Sequence, residues 1–366
     1  MIVHEIGPLE FDGRQVWMSG FQVLALHTAG IALADIRPSL LARLQALWPN
    51  NAILDVRQPH ERIGQEIFMA DKIQLELGNV QKTLLLPLWG RAIETQKPLP
   101  LLIDRAAAQI IEKLEYDFSE SARHLSAISQ LGWIARSLHI DAAIKRLLET
   151  HPTATIVNLG CGLDTTFDRV DNGCLTWYDL DLPDVMALRK QLIPEQERRM
   201  YIADSLFSHD WLAQVNSEKK VLFVVAGVLY YFEETRIRAF VNHLAGRFPG
   251  AELIFDASSP IGIKMANKMV IKASGMDEKS FLQWGLPSVK TLELWDQRIN
   301  IIAKYPMFGA LKKHFQFKDR MTAWLSDVLN MQFMVHVRFG KEGIRESDRS
   351  EQGDNLAPPL TISIDK

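Results

Sequence analysis

The chain has 366 residues, of which 47% are hydrophobic and 23% charged, and a formal net charge of −3. These values are typical of an ordinary globular protein with room for one large or two ordinary domains. The charge balance offers no basic face for nucleic acid, and no apolar run is long enough to cross a membrane. The two cysteines, Cys161 and Cys174, form no metal-ligand pattern and predict a protein of the reducing cytoplasm.

The ends of the chain differ from its middle. Residues 1–68 carry mixed short strand and turn signals, which fit either a small accessory module or a loosely anchored extension from an upstream start codon. A compact enzyme domain is predicted over 69–341. The charged, proline-bearing tail at 342–366 is expected to be disordered.

Within the predicted domain, residues 69–150 have the periodicity of helices. Asp104 is placed to cap a helix that begins at Arg105, and apolar residues recur at helical spacing over 134–148. Because these helices precede the predicted sheet, we expect them to form a lid over its carboxyl edge.

From residue 151 to 341, apolar strands alternate with helices, which predicts an α/β domain with a doubly wound, mostly parallel sheet. Seven strands are expected, and the last alternates as a half-buried antiparallel strand would. Their predicted ranges are 156–159, 175–179, 199–203, 221–226, 252–256, 298–303 and 332–338. An insertion rich in Gly, Trp and Met occupies 260–296, and its aromatic side chains either line an acceptor pocket or simply pack on the sheet.

The first predicted strand leads into Asn158-Leu159-Gly160-Cys161-Gly162-Leu163-Asp164-Thr165. Two glycines one residue apart let a ligand approach the backbone closely. A dinucleotide fingerprint would need a third glycine at Thr165, and Asp164 would repel a pyrophosphate. The loop therefore favours a cationic cofactor over NAD, and we interpret that cofactor as S-adenosylmethionine. A tight strand-to-helix turn without a ligand is the alternative.

Acidic residues follow the next two strands. Asp179 and Asp181 end the second strand, where a carboxylate that accepts both ribose hydroxyls belongs in this architecture. One of the two suffices, and the other can cap the helix that begins at Pro183. Asp204 and Ser205 end the third strand, where Asp204 can accept a hydrogen bond from an adenine amino group or cap a helix.

Arg136 lies on the helix that precedes the first strand. A cofactor with an amino-acid end brings a carboxylate, and the guanidinium fork is a natural bidentate partner for it. By position alone, a helical arginine near Asp141 is more often a paired surface charge.

These segments resemble the leucine carboxyl methyltransferase family, and within it the branch of the tetracenomycin-pathway O-methyltransferase. The resemblance extends over residues 83–340 and is carried by 136–141, 158–165, 178–183 and 226–232. It implies a class I methyltransferase with a Rossmann-like sheet and an arginine on the cofactor carboxylate, here Arg136. It also places the loop from Gly160 through Cys161 and Gly162 to Asp164 against the methionine part. Asp181 would then lie near the ribose and Asp204 near the adenine.

Ala226 departs from the family pattern. Members that methylate a protein phosphatase carry a glutamate here, so the loss of this carboxylate favours a small-molecule acceptor. We therefore predict an S-adenosylmethionine-dependent O-methyltransferase acting on a carboxylate or hydroxyl of a small, polyketide-like molecule. The alternatives are a protein C-terminal carboxyl methyltransferase and a non-catalytic cofactor-binding module.

No residue is compelling as a general base, and no metal site is predicted. A carboxylate acceptor is already ionised at neutral pH, whereas a hydroxyl acceptor needs a base within hydrogen-bond reach. Tyr231 is the catalytic candidate, beside Tyr230, His124 and His139. A tyrosine with a pKa near ~10 is a poor base at pH 7.

Overall fold

The computed structural model describes residues 6–11, 14–18, 73–74, 79–118, 126–268 and 281–340. The chain divides into two compact units, Met1–Met69 and Ala70–Lys366. In the first unit, strands β1 (Ile6–Phe11) and β2 (Arg14–Met18) pair antiparallel. The rest of the predicted extension, the tail at 342–366 and His124 lie outside the described residues.

The second unit has three helices before its main sheet, as the periodicity predicts. They are α1 (Asn79–Thr95), α2 (Arg105–Lys113) and α3 (Ala127–Thr150). Two short strands, β3 (Ile73–Gln74) and β4 (Leu114–Glu115), pair parallel beside them. Asp104 caps α2, because its Oδ1 accepts a hydrogen bond of 2.9 Å from the Ala107 amide. Helix α1 packs against both α2 and α3.

Seven strands form the sheet of this unit. In chain order they are β5 (Thr155–Leu159), β6 (Thr176–Asp181), β7 (Arg199–Ala203), β8 (Val221–Val225), β9 (Glu252–Ala257), β10 (Ile299–Pro306) and β11 (Phe333–Phe339). Their spatial order is β10-β11-β9-β8-β5-β6-β7, and β11 runs antiparallel to both of its neighbours. The predicted α/β, doubly wound sheet is confirmed.

The connections carry shorter helices. They are α4 (Thr166–Val170), α5 (Pro183–Leu192), α6 (Glu234–Arg247), α7 (Pro260–Ala266), α8 (Lys290–Trp295) and α9 (Phe317–Val328), with 3₁₀ turns at Asp210–Ala213, Leu229–Tyr231 and Gly309–His314. In the part of the chain that the structure describes, no helix combines the length and apolar character needed to span a bilayer.

The central strands are buried on both faces. Every residue of β5 and β8 is buried, because helices cover the two sides of the sheet. Ile156 and Leu222 belong to the cluster built with α3, whereas Val157 and Phe223 belong to the cluster built with α6. Alternate residues of each strand therefore anchor opposite helix layers.

The sheet reverses its direction of growth at β5. From β5 the chain proceeds outward through β6 and β7, then returns to the other side of β5 with β8 and β9. In open α/β sheets a ligand binds outside the carboxyl ends of the strands at such a switch point. The fold therefore predicts a ligand site at the segments that follow β5, β6 and β8.

Candidate active site

The glycine loop after β5 has a conformation that requires glycine. Gly160 has φ +68° and Gly162 has φ +47°, both in the left-handed region. A Cβ on Gly160 would lie 2.6 Å from Val228 Cγ2, and one on Gly162 would lie 3.0 Å from Leu84 Cδ2. The loop is thereby held close to both the segment after β8 and helix α1.

Asp181 joins this loop to the end of β6. Its Oδ2 accepts a 2.7 Å hydrogen bond from the Gly162 amide, and its Oδ1 accepts one of 2.8 Å from the Leu182 amide. Partial burial raises the pKa of this carboxyl group. The Asp204 amide donates to the Asp181 carbonyl at 3.0 Å, and the Asp204 carboxylate accepts from the Ser205 amide at 2.7 Å. The ends of three neighbouring strands therefore meet at one place.

Asp179 lies in a different environment from Asp181. It is fully buried, and its carboxylate contacts Arg189 at 2.7 Å, Arg199 at 2.9 Å and the Asn158 amide group at 3.0 Å. All of these partners lie inside the protein, so the Asp179 carboxylate is not accessible to a ribose. Of the two aspartates considered from the sequence, Asp179 is enclosed by internal partners, whereas Asp181 lies against the glycine loop.

Arg189 is a functional residue that the sequence reasoning missed. It is fully buried, and it donates to the carbonyls of Gly162 and Asp164 at 2.8 Å each as well as to Asp179. One guanidinium therefore fixes the path of the glycine loop from behind. Its position within α5 carries no spacing signal that identifies it.

The Asp164 carboxylate folds back onto its own loop. It accepts hydrogen bonds from the Thr166 amide, the Thr166 hydroxyl and Asn158 at 3.0–3.1 Å. Burial opposes its ionisation, but the nearby cations Arg91 and Arg169 outweigh burial and lower the pKa to about 2. The loop thus carries a permanent negative charge at neutral pH.

Arg136 reaches the same edge from α3. Its Nη1 lies 3.1 Å from Asp256 Oδ2 and 3.4 Å from the Tyr230 hydroxyl. Burial disfavours the charged form, but Asp256 outweighs it and raises the pKa of Arg136 above its ordinary value. Within the described ranges, no hydrogen bond engages its Nη2, which leaves that side of the fork for a ligand.

Asp256 is the second residue that sequence reasoning missed. It lies near the end of β9, is buried, and accepts a 2.6 Å hydrogen bond from the Gly227 amide through Oδ1. Gly227 has φ +75°, and a Cβ there would lie 2.7 Å from Arg136 Nη1. The strand-end rule that pointed to Asp181 and Asp204 applies equally to Asp256 on the fifth strand.

A buried polar network ties the N-terminal helices to the glycine loop. Asp104 Oδ2 contacts Arg91 of α1 at 2.8 Å, Arg169 of α4 at 2.7 Å and the Thr165 hydroxyl at 2.6 Å. Arg169 also forms a two-point ion pair with Asp141 of α3. Four separate elements are fixed relative to one another by these charges.

Other candidates lie around or outside this edge. Cys161 is buried with its Sγ 3.7 Å from Met186 Sδ, so only its backbone can face a ligand. Tyr231 and Ala226 are partly buried at the end of β8.

His139 is buried away from this edge, with Nε2 3.0 Å from the Met307 carbonyl oxygen. Trp284 and Trp295 pack in the sheet's core, which favours the packing interpretation for those two aromatic residues of the insertion.

A groove lies at the opposite, amino edge of the sheet. This groove of about 790 Å³ is lined by residues that include Arg146, Lys220, Arg247 and Glu252. It contains neither the glycine loop nor the strand-end carboxylates. We therefore place the active site at the carboxyl edge, where the switch point lies.

Comparison with known proteins decides the family. The model of the family described as leucine carboxyl methyltransferase matches residues 85–245. The tetracenomycin polyketide synthesis O-methyltransferase of Streptomyces glaucescens is 30% identical over 221 residues, which are 60% of this chain and 80% of that protein. The chain belongs to the leucine carboxyl methyltransferase family. The family and the class of enzyme predicted from the sequence are confirmed.

Two further similarities accompany this methyltransferase. An S-adenosyl-L-methionine-dependent methyltransferase of Gibberella zeae is 27% identical over 284 residues, 70% of this chain and 94% of that protein. A DUF574 family protein of Streptomyces avermitilis, known from its crystal structure, has a TM-score of 0.46 at 10% identity and covers 69% of this chain and 97% of its own.

The chemistry of the edge suits a cationic nucleoside with an amino-acid end. The edge brings together the ionised Asp164, the Asp181 carboxylate and the cation of Arg136, and such groups can pair with a cation, a diol and a carboxylate respectively. The three glycines at 160, 162 and 227 let the side chains of Val228, Leu84 and Arg136 approach the backbone closely. The groups described at this edge suit the binding and orientation of such a ligand.

Proposed function

We propose that this protein transfers a methyl group from S-adenosylmethionine to a carboxylate or hydroxyl oxygen of a small, polyketide-like molecule. S-adenosylmethionine is the cofactor of this family member, and O-methyl transfer is its reaction class. The observation that carries the proposal is the convergence of Arg136, the Gly160–Gly162 loop and Asp181 at one edge of the sheet.

The described residues are assigned to four parts of the cofactor. We assign its carboxylate to Arg136, its methionine portion to the loop from Gly160 through Cys161 and Gly162 to Asp164, and its ribose hydroxyls to Asp181. Asp204 and Ser205 are assigned to the adenine, because they end the strand beside Asp181. When bound, the cofactor supplies an electrophilic methyl group on a sulfonium, with a neutral leaving group.

The protein's part in the reaction is positioning and exclusion of water, since in-line displacement from a sulfonium needs little more. Burial raises the pKa of Tyr231 and raises that of Tyr230 well above its ordinary value. Both phenols therefore stay protonated at neutral pH and are unsuited to act as bases. This supports an acceptor that ionises by itself, such as a carboxylate or an acidic phenol.

The acceptor is assigned to small molecules for two reasons. Ala226 puts a methyl group where the resemblance expects a glutamate in members that methylate a protein. The relative from Streptomyces glaucescens is described as a polyketide synthesis enzyme. A protein C-terminal carboxylate is the second candidate, on the strength of the family description itself. A non-catalytic module is less well supported, because Arg136, Asp164, Asp181 and Asp204 are all present.

The first test is calorimetric titration of the full chain with S-adenosylmethionine and, separately, with NAD. We expect saturable binding of S-adenosylmethionine alone. Binding of NAD alone, or of neither ligand, would contradict the cofactor assignment.

The acceptor class is tested with labelled methyl donor and three sets of acceptors: aromatic carboxylic acids, polycyclic phenols and peptides with a free C terminus. Mild alkali releases methanol from a methyl ester but not from a methyl ether, which separates carboxylate from hydroxyl products. Labelling of peptides alone would overturn the small-molecule assignment. Labelling of nothing, with cofactor binding intact, would favour the non-catalytic module.

A further inference from the structure

The groove at the amino edge of the sheet is positively charged, although the whole chain has a formal net charge of −3. The ends of α3 and α6, the segment before β8 and the strands β9, β10 and β11 contribute its lining. The charged side chains of this amino-edge groove are the cations Arg146, Lys219, Lys220, Arg247 and Arg338 and the carboxylates Glu218 and Glu252. Five cations against two carboxylates leave an excess of three positive charges.

The carboxylates of the groove do not neutralise its cations. Glu252 contacts Lys220 and Arg338 at 3.1 Å each, so one carboxylate serves two permanent cations. In the described part of the chain, no ion pair engages three of the cations, which are Arg146, Lys219 and Arg247.

The ends of two helices offset only part of this excess. Both α3 and α6 end at the groove, and a helix C-terminus carries about half a negative charge. Two such ends together offset roughly one of the excess positive charges. About two positive charges therefore remain for a ligand to neutralise.

Tyr305 of β10 adds a hydrogen-bond donor to the same groove. Its side chain lines the groove and is only 4% exposed. Among the described residues, none forms a hydrogen bond with its hydroxyl group. Burial raises the pKa of this phenol, so it keeps its proton at neutral pH. Since buried polar groups are normally hydrogen-bonded, a ligand oxygen in the groove would supply the missing acceptor.

The charge of the groove matches a phosphate ester. A phosphate monoester carries about 1.5–2 negative charges at pH 7, which is close to the remaining positive charge. Its oxygens point in several directions, which suits donors that come from α3, α6, β10 and the segment before β8. A carboxylate accepts hydrogen bonds in a single plane and fits such a set of donors less well.

The size of the groove points to an organic ester and not to free phosphate. Its volume of about 790 Å³ lies within the ~300–1,000 Å³ of small-molecule sites. A phosphate group alone fills a small part of that space. Apolar contacts for an organic part are available from Leu147, Phe248 and Ile302.

We propose that the amino-edge groove is a second ligand site, which binds the phosphate group of a small organic phosphate ester through Arg146, Arg247 and Tyr305. The site is separate from the one assigned to methyl transfer. Arg136 and Arg146 both lie on α3, but the ten residues between them correspond to ~15 Å along the helix.

The test is calorimetric titration of the full chain with phenyl phosphate at constant ionic strength, because salt screens contacts of this kind. We expect saturable binding, both without S-adenosylmethionine and with a saturating amount of it. Inorganic phosphate should bind more weakly, since it lacks the organic part. Succinate, a dicarboxylate of similar charge, should also bind more weakly than phenyl phosphate.

Single substitutions locate the binding. Arg247→Ala should weaken phenyl phosphate binding by ~10-fold or more, and Tyr305→Phe, which removes only the hydroxyl, by ~3–10-fold. Arg238→Ala removes the same charge from an exposed position of α6 outside the groove and is the matched control. It should bind phenyl phosphate as the wild type does. Arg136→Ala should do so as well, because Arg136 lies at the opposite edge of the sheet.

Four results would each overturn the proposal. They are the absence of saturable binding, an equal loss in Arg247→Ala and Arg238→Ala, displacement of phenyl phosphate by S-adenosylmethionine, and binding of inorganic phosphate or succinate as tight as that of phenyl phosphate. Circular dichroism establishes that each variant is folded, so a loss of binding reports on the groove itself.

Discussion

Arg136 and Asp256 form an ion pair of 3.1 Å between α3 and the end of β9, and Asp256 at the same time holds the Gly227 amide. The pair holds a guanidinium at the carboxyl edge of the sheet, and the Asp256 carboxylate compensates its positive charge. The carboxylate end of the cofactor is assigned to this cation, so cofactor affinity should depend on it directly.

Arg136→Ala should weaken S-adenosylmethionine binding by ~10–100-fold, since hydrogen bonds to charged groups contribute about 1.5–3 kcal/mol. Titration calorimetry measures the change. Decarboxylated S-adenosylmethionine lacks the assigned partner and should bind the wild type and the variant almost equally. Arg146→Ala removes the same charge from an exposed position of the same helix and should leave both affinities intact. An equal loss for both ligands would show that Arg136 acts only on the fold.

Gly227→Ala and Gly173→Ala form a matched pair. Both glycines have left-handed backbones, φ +75° and φ +78°, so each substitution should cost ~1–2 kcal/mol of stability. Only the Cβ at 227 collides with Arg136, because a Cβ at 173 would meet nothing within 4 Å. We expect Gly227→Ala alone to lose cofactor affinity. Similar affinities for the two variants would remove Gly227 from the site.

Asp181→Asn should weaken binding of both S-adenosylmethionine and S-adenosylhomocysteine by about tenfold, because a charge-assisted acceptor for the ribose is lost. A 2′-deoxyribose analogue completes a double-mutant cycle. Its penalty should be large in the wild type and small in the variant. Asp210→Asn, at an exposed position, serves as the control. Additive penalties would mean that Asp181 does not contact the ribose.

Tyr231→Phe should retain most of its methyl-transfer rate near pH 7, because burial raises the pKa of the phenol and keeps it protonated there. The rate against pH, measured with an acceptor found in the screen, checks this. A loss of ~100-fold or more, together with loss of the rise in rate towards alkaline pH, would instead identify Tyr231 as the base.

Glu252 should make the fold sensitive to acid. It contacts His336 at 2.9 Å, Lys220 at 3.1 Å and Arg338 at 3.1 Å at the amino edge of the sheet. Burial opposes ionisation, but these partners outweigh it and lower the pKa from its ordinary 4.5 to about 2. The folded pKa lies below the unfolded one, so the stabilisation is complete above pH 4.5 and is lost as the pH falls towards 2.

Urea unfolding at a series of pH values measures this contribution. Glu252→Gln should lower the free energy of unfolding by roughly 3 kcal/mol at pH 7, and the difference from the wild type should shrink steadily below pH 4.5. Glu149→Gln, at an exposed position on α3, should show no such convergence. A difference that is constant with pH would contradict the assignment.

The strand ends were predictable from the sequence, and the partners of their carboxylates were not. Parallel strands bring Asp181 and Asp204 to one edge whatever else surrounds them, so alternation and spacing suffice to place them. Asp179 and Asp181 look equivalent by that criterion. What separates them is the closure of Arg189 and Arg199 over Asp179, which depends on contacts between elements ten and twenty residues away.

Arg136 is a second residue whose partner could not be predicted from the sequence. Its helical position alone favours a paired surface charge, whereas in the structure it is largely buried and is paired with Asp256. That partner, Asp256, is 120 residues away in the chain, and local periodicity carries no information about such a pairing.

The network around Asp104 bears on how molecules reach the active site. Swinging α1 and α2 together away from the sheet would expose the buried Asp104 carboxylate and separate it from Arg169 and Thr165. Separating one partner from a buried charge cluster costs several kcal/mol, and several partners cost more. We therefore expect the α1–α2 layer to act as a fixed wall, beside which the cofactor and the acceptor enter, and not as the mobile lid that the sequence suggested.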